Sequence, residues 1–123
     1  MLMPKVMLAE DDATMLSLLR TLLKLEGFET TTLGVEEDVI DALCRDVPDI
    51  VLLDVNLTQG NGLDFLRRIR KNDCLKNVVV IMSSGMPLEN ECLNAGANAF
   101  LLKPYMPDML ISVIKDGLSH RTV

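Results

Sequence analysis

The sequence predicts an α/β protein built on one sheet of five parallel strands, with helices on both faces. Two observations carry that prediction. Short apolar runs alternate with segments of helical period along the whole chain, and such alternation implies parallel strands joined by crossover helices. Two of the runs, residues 50–53 and 78–82, are apolar at every position, which suits central strands buried on both faces. A chain of 123 residues is long enough for one such core.

The elements follow in order. Residues 5–9 form a first apolar strand. Asp12 then precedes a helical pattern in which Met15, Leu18, Leu19, Leu22 and Leu25 recur at three and four. Asp12 is an N-cap candidate, its carboxylate accepting from backbone N–H groups one turn in, and Gly27 closes the helix. Threonine-rich residues 28–33 read as the second strand. Residues 35–45 give a second helix, with Pro48 beyond its end. The third strand is 50–54. The turn 59–62, Gln-Gly-Asn-Gly, leads into a helix through Leu63, Leu66 and Ile69. Residues 77–82 form the fourth strand. Residues 87–95 form a short helix ended by Gly96, and 99–102 the fifth strand. Pro107 opens a last helix with Leu110, Val113, Ile114 and Leu118 on one face. Phe65 and Phe100 are candidate core aromatics, and the eight methionines read as core filling.

Composition excludes several functions. The net charge of −6 argues against nucleic-acid binding by this chain alone, because neutralising phosphates needs a basic surface. The basic cluster Arg67, Arg68, Arg70 and Lys71 reads as the solvated face of a helix. Cys44, Cys74 and Cys92 form no Cys-x-x-Cys pair, so they read as reduced, partly buried thiols in a reducing compartment. The single histidine, His120, lies in the tail with nothing around it to build a metal cluster or a triad. No run is long enough to span a membrane, and the first residues lack the pattern of a signal peptide, so a cytoplasmic location is expected.

The residues that end the apolar runs carry the chemistry. Strand one ends in Glu10 and Asp11, strand three in Asp54, strand four in Ser83 and strand five in Lys103. In an open parallel sheet the carboxyl ends share one edge, where ligands bind at the point of strand-order reversal. Three carboxylates close together repel unless a cation intervenes. An all-oxygen donor set favours a hard cation, Mg²⁺ first. With a hydroxyl and an ammonium added, the set suits phosphoryl transfer to an aspartate.

Assembled, these segments make the chain resemble a receiver domain of the two-component response-regulator family over nearly its whole length. Leu-Ala-Glu-Asp-Asp matches the family's acidic pair, Val-Leu-Leu-Asp-Val-Asn its phosphoacceptor strand, Val-Ile-Met-Ser-Ser its Ser/Thr strand and Phe-Leu-Leu-Lys-Pro-Tyr its Lys-Pro strand. The resemblance implies a flavodoxin-like (βα)5 fold, a doubly wound five-stranded parallel sheet of order 2-1-3-4-5. It implies that residues 1–123 are a single receiver domain, with no output domain in this chain. Asp54 is then the phosphoacceptor. Glu10, Asp11, Asp54 and the backbone carbonyl of Asn56 are the Mg²⁺ ligands. Ser83 and Lys103 contact the phosphoryl group, Ser83 and Phe100 act as switch residues, and the bond before Pro104 is a cis candidate. The implied partners are a sensor histidine kinase or phosphotransfer protein, and a downstream effector or fused output domain. No membrane is implied. The domain is a regulatory phosphoacceptor and not an enzyme in the ordinary sense, although it assists its own phosphotransfer and dephosphorylation.

The sequence departs from the family pattern in three places. Leu57-Thr58 stands where the family often has Met-Pro or Leu-Pro, so that loop is expected to be looser. Glu10 is one methylene longer than aspartate, which suggests a water-mediated metal contact. Phe100 lacks the hydroxyl a tyrosine would bring. Separately from these, Gly85, two residues after Ser83, has no side chain. Asp64 is read as a first-turn carboxylate favoured by the helix dipole, and Asp12 as a cap and not a ligand.

Other classes fit less well. A dehalogenase-type hydrolase would carry Asp-x-Asp after the first strand, and here Asp-Val-Asn follows the third. A flavin binder would carry a Ser/Thr/Gly phosphate loop where this chain has Glu-Asp-Asp-Ala-Thr. The alternative that remains is a pseudo-receiver scaffold acting without phosphorylation.

Overall fold

A computed structural model describes residues 3–33 and 38–119. Five strands, β1 (Lys5–Ala9), β2 (Glu29–Thr32), β3 (Ile50–Asp54), β4 (Val79–Ser84) and β5 (Ala99–Leu102), pair in parallel in the order 2-1-3-4-5. Five helices alternate with them: α1 (Ala13–Leu25), α2 (Val39–Arg45), α3 (Gly62–Lys71), α4 (Glu89–Asn94) and α5 (Pro107–Ser119). The strand order is the one implied by the sequence.

The period-2 geometry of the strands divides the core in two. Val6, Leu8, Ile50, Leu52, Val79 and Ile81 face α1 and α5, where Leu19, Leu23, Leu110 and Ile114 meet them. Their immediate neighbours Met7, Ala9, Val51, Leu53, Val80 and Met82 face α2, α3 and α4. This explains why residues 50–53 and 79–82 are apolar at every position: each has a helix layer above or below it. Each fully buried leucine or isoleucine here contributes about 1.5–3 kcal/mol.

The helix caps arise where the sequence suggests. The Asp12 carboxylate accepts from Met15 N–H at 2.9 Å, which keeps it a cap. At the other end of α1 the Phe28 N–H bonds to Leu23 O and the Gly27 N–H to Lys24 O, with Gly27 at φ +88°. That is a Schellman motif, and it needs a residue without Cβ. The buried face of α1 is rotated from expectation. Leu19 and Leu23 are buried, with Met15 and Leu16 packed partly against them, whereas Leu18 and Leu25 are exposed. With eight of the thirteen positions of α1 apolar, periodicity alone does not define the phase. Helix α2 begins behind Asp38, whose carboxylate caps Ile40 and Asp41. Its expected start at residue 35, like His120, lies outside the described residues.

Strand β4 runs from 79 to 84 and not from 77 to 82. The chain turns first through Leu75 and Val78, whose N–H donates to Leu75 O, and pairing begins only at Ile50↔Val79. Ser83 therefore lies inside the sheet opposite Asp54, and Ser84 is also buried. The expected turn 59–62 is the end of a small hairpin. Asn56–Leu57 and Gly60–Asn61 pair antiparallel around Thr58 and Gln59.

The basic cluster on α3 is not uniformly solvated. Arg67 pairs with Asp64 at 2.9 Å on the surface, so Asp64 is a first-turn carboxylate. Arg68 lies over the Phe65 ring. Arg70 is different, because it turns inward and donates to Gly96 O (2.8 Å), Lys76 O (3.0 Å), Val78 O (2.7 Å) and Asn98 Oδ1 (2.7 Å). The planar guanidinium thus ties α3 to the start of β4 and to the α4–β5 loop. Burial lowers its pKa, yet it stays charged. Gly96, at φ +109°, makes the room, since a Cβ there would lie 2.9 Å from Arg70 Cγ. Arg70→Ala is expected to destabilise the fold by about 2–3 kcal/mol through carbonyls left without donors. Urea denaturation measures it, and a loss below a few tenths would make the network incidental.

Of the cysteines, only Cys92 is buried, and burial raises its thiol pKa; Cys44 and Cys74 are exposed, contrary to the expectation of partial burial. Both stand near α-helix ends, where the apolar pattern around them runs out.

Candidate functional site

The carboxyl ends of β1, β3, β4 and β5 meet at one edge, and the expected polar residues are there. The Lys103 ammonium stands between two acids, donating to Glu10 Oε1 at 2.8 Å and to Asp54 Oδ2 at 2.9 Å. The side chains of Glu10 and Asp54 are 6% and 9% exposed, so this is a largely dehydrated bridge. The second oxygen of Asp54 has only a weak contact, from Asn56 N–H at 3.4 Å. Ser83 is the in-register neighbour of Asp54 on β4, and its carbonyl accepts from Val55 N–H. The Lys103 N–H donates to Ser84 O, and the Lys103–Pro104 bond is cis.

Burial governs the protonation of the site. It raises the Asp54 pKa, and the hydrogen bond and charge of Lys103 pull only partly the other way. Burial by itself would lower the lysine, but hydrogen bonds and charges from Glu10 and Asp54 together outweigh it, so the Lys103 pKa is raised. Beside them the Tyr105 hydroxyl is buried without a hydrogen-bond partner, and burial pushes its pKa up to about 12.

Glu10 binds less as a free ligand than expected. Its Oε2 accepts from the N–H groups of Asp11 and Asp12 at 2.9 and 3.2 Å, closing a tight local turn. Asp11 makes its bonds elsewhere, to Thr58. Its Oδ2 accepts from the Thr58 backbone N–H at 2.6 Å and from the Thr58 hydroxyl at 2.9 Å. Among the described residues no three acidic, cysteine or histidine side chains are grouped closely enough to hold a metal ion as they lie. Lys103 thus bridges Glu10 and Asp54, whereas the bonds of Asp11 go to Thr58. One ammonium already serves two carboxylates, and a third would add repulsion that two donors from Thr58 relieve. The loop containing Thr58 is correspondingly not loose: it is a paired hairpin fastened to β1 by those two bonds. A proline at that position has no N–H to give.

Phe100 lies on β5 opposite Met82, half-buried, and packs against the α2–α4 side of the core. Gly85 is not in the left-handed region, and a Cβ there would meet nothing within 4 Å. Two further residues shape the site through contacts the sequence did not indicate. Thr58 is one. Gly62 is the other, because its N–H donates to Val55 O at 2.6 Å and a Cβ would fall 2.3 Å from Asp54 O. Both depend on distances across the fold, for which no local pattern exists.

Known proteins resemble this chain in sequence and fold. The sequence profile of the response regulator receiver domain matches residues 6–115. The C4-dicarboxylate transport transcriptional regulatory protein DctD of Pseudomonas aeruginosa is 30% identical over 118 residues, which is 95% of this chain and 26% of that protein. The transcriptional regulatory protein YxdJ of Bacillus subtilis is 29% identical over 116 residues, 94% of this chain and 51% of that protein. The chain therefore spans about a quarter to a half of these relatives. Among solved structures, a response regulator receiver domain protein from Methanospirillum hungatei JF-1 is 27% identical with a TM-score of 0.84, covering 98% of this chain and 97% of that one. With its flavodoxin-like sheet, its profile match over most of its length and these relatives, the chain belongs to the response regulator receiver domain family.

Proposed function

We propose that this chain is a phosphoaccepting signalling switch in which Asp54 takes a phosphoryl group from a phosphohistidine of a sensor histidine kinase or phosphotransfer protein. The observation that carries this reading is the Lys103 bridge: a partly buried ammonium on one oxygen of Asp54 leaves the other, Oδ1, with only a 3.4 Å contact. That oxygen is the nucleophile. It attacks phosphorus, the bond from phosphorus to the donor's nitrogen breaks, and the electron pair leaves with the donor. Lys103 and Ser83 then lie beside the new phosphoryl oxygens, one as cation and one as hydroxyl donor.

The donor set also fits Mg²⁺. Glu10, Asp11, Asp54 and the Asn56 carbonyl are hard oxygen ligands, and Asp54, with its pKa raised by burial, gains from a second cation. When bound, the ion supplies charge neutralisation for the incoming phosphoryl group. Receiver domains are regulatory, and this one, as a single unit over residues 1–123, is proposed to pass its state on through the α4–β5–α5 surface. Its partner there is an effector or a fused output domain, in the cytoplasm. The exposed Leu102, Met106 and Met109 and the half-buried Phe100 on that side support this reading. Among the described residues no helix is long and apolar enough to cross a membrane.

The test is intact mass after incubation with acetyl phosphate and Mg²⁺. Wild type is expected to gain one phosphoryl group and Asp54→Ala none. An adduct of wild-type extent on the alanine variant, or none on wild type from either acetyl phosphate or a phosphohistidine donor, would refute the assignment. The second outcome would favour a scaffold acting without phosphorylation.

A further inference from the structure

Only some of the methionines fill the core as the sequence leads one to expect. Met7 and Met82 are buried in the sheet, and Met15 packs partly against it. Met86, Met106 and Met109, in contrast, are 60%, 70% and 54% exposed. Their positions are not scattered. Met86 follows Ser83 by three residues and Met106 follows Lys103 by three, so each stands just beyond a strand end that delivers a site residue. Those strand ends lie side by side, since Ser84 pairs with Leu102 and the Lys103 N–H donates to Ser84 O at 2.8 Å. The backbone beneath the three methionines is fastened. The Met86 N–H donates to Ser84 Oγ at 3.0 Å, and the Met109 N–H, in the first turn of α5, donates to Met106 O at 3.0 Å. Ordered backbone thus holds three thioethers out to solvent beside the exposed Leu102.

We propose that Met86, Met106 and Met109 form an oxidation site for peroxides that makes the α4–β5–α5 surface redox-sensitive. The inference rests on the output surface proposed above. A thioether is apolar and polarisable and adapts to a partner's contours. Where hydrogen peroxide reaches it, the sulfur lone pair attacks one peroxide oxygen and the O–O bond breaks. The electron pair leaves on the other oxygen, which takes up the proton and departs as water. Sulfur is oxidised to a sulfoxide and the peroxide is reduced. The product is polar, and covering it with a partner's apolar surface costs its hydration. Phosphorylation of Asp54 changes this face from within, whereas sulfoxides change it from outside. Asp54, Ser83 and Lys103 take no part in the sulfur chemistry, so the oxidised chain still accepts a phosphoryl group but presents an altered face.

The whole chain, treated with graded hydrogen peroxide, tests this. Dithiothreitol then reverses disulfides and sulfenic acids at the exposed Cys44 and Cys74, leaving the sulfoxides for peptide-mass mapping. Met3 is also exposed, on the amino edge of the sheet just before β1, and is replaced by leucine in every sample. Met86, Met106 and Met109 are each expected to gain about 16 Da at peroxide levels that leave Met7 and Met82 intact. Resistance of the three, or oxidation of Met7 and Met82 in parallel with them, overturns the site.

Binding of the apolar dye ANS reads the surface. Oxidation is expected to lower it, and methionine sulfoxide reductase to restore it. The triple variant Met86→Leu, Met106→Leu, Met109→Leu is expected to keep its dye binding through peroxide treatment. Glutamine at the same three positions is expected to show the loss without peroxide. Unchanged dye binding after full oxidation, or an equal loss in the leucine variant, overturns the effect on the surface. Labelling by acetyl phosphate and Mg²⁺ is expected to be equal in oxidised and untreated chains, and its loss on oxidation alone counts against the proposal. No label on the untreated chain refutes the phosphoacceptor reading, and the mass map and the dye then still decide the methionine site.

Discussion

Gly62→Ala is expected to destabilise the protein by about 3 kcal/mol, the upper range for forcing extra atoms into a packed site. The added Cβ would stand 2.3 Å from Asp54 O and 2.8 Å from Val55 Cα, and both neighbours are backbone. Neither can swing aside as a flexible side chain would. Relief requires α3 to move away from the end of β3, which breaks the 2.6 Å bond from Gly62 N–H to Val55 O. The strand end that must move also carries Asp54, so phosphoryl acceptance should fall along with stability. Urea denaturation and acetyl phosphate labelling, run on the same variant, check both. Wild-type stability would mean that α3 docks with slack, and that the close approach has no energetic consequence.

Lys103→Met should have the second large effect, and its pH dependence identifies the cause. Removing the ammonium leaves Glu10 and Asp54, both mostly dehydrated, facing each other without a cation. Breaking one side of such a bridge costs about 2–4 kcal/mol at neutral pH, less than a fully buried pair because Lys103 is a quarter exposed. The lysine's folded pKa is raised above its ordinary 10.5. Its stabilisation is therefore fully present below that value and is lost as pH rises through the folded pKa. Wild type should weaken in that alkaline window, and the variant should lack this transition. The Asp54 pKa is raised as well, so its burial favours the protonated form. That contribution is present below the ordinary carboxyl pKa and lost as pH rises through the folded one. Acidification should accordingly restore part of the variant's lost stability. Thermal melts across the pH range measure both, and a variant with the wild-type alkaline profile would assign that transition to another group.

The Lys103 bridge itself is legible in the sequence only in part. That Glu10, Asp54, Ser83 and Lys103 would share one edge follows from four apolar runs each ending in a polar residue, since parallel strands put all such ends on one side. That Lys103 touches both acids, while Asp11 bonds to Thr58, does not follow. It depends on which of several nearby donors offers the better geometry, and Thr58 lies 47 positions away from Asp11. Arg70 is similar. In sequence it is one of four basic residues on a helix, and only the approach of the Gly96 and Val78 carbonyls turns it into an internal tie.

What the amino-acid sequence determined by itself was the class of fold, the strand order through its likeness to the receiver family, the helix caps at Asp12 and Gly27, and the strand end that carries Asp54. These depend on local periodicity, on caps within one turn, and on the direction in which parallel strands must run. The tertiary structure alone decided the phase of α1, the two-residue shift of β4 that puts Ser83 inside the sheet, the close approach of Gly62, and the partners of Asp11 and Arg70. Each of these is a choice among locally equivalent arrangements. A helix such as α1, with eight apolar residues in thirteen, offers more than one apolar face until a sheet is laid against it. A carboxylate beside two kinds of donor has no preferred partner until the chain has brought them within 3 Å.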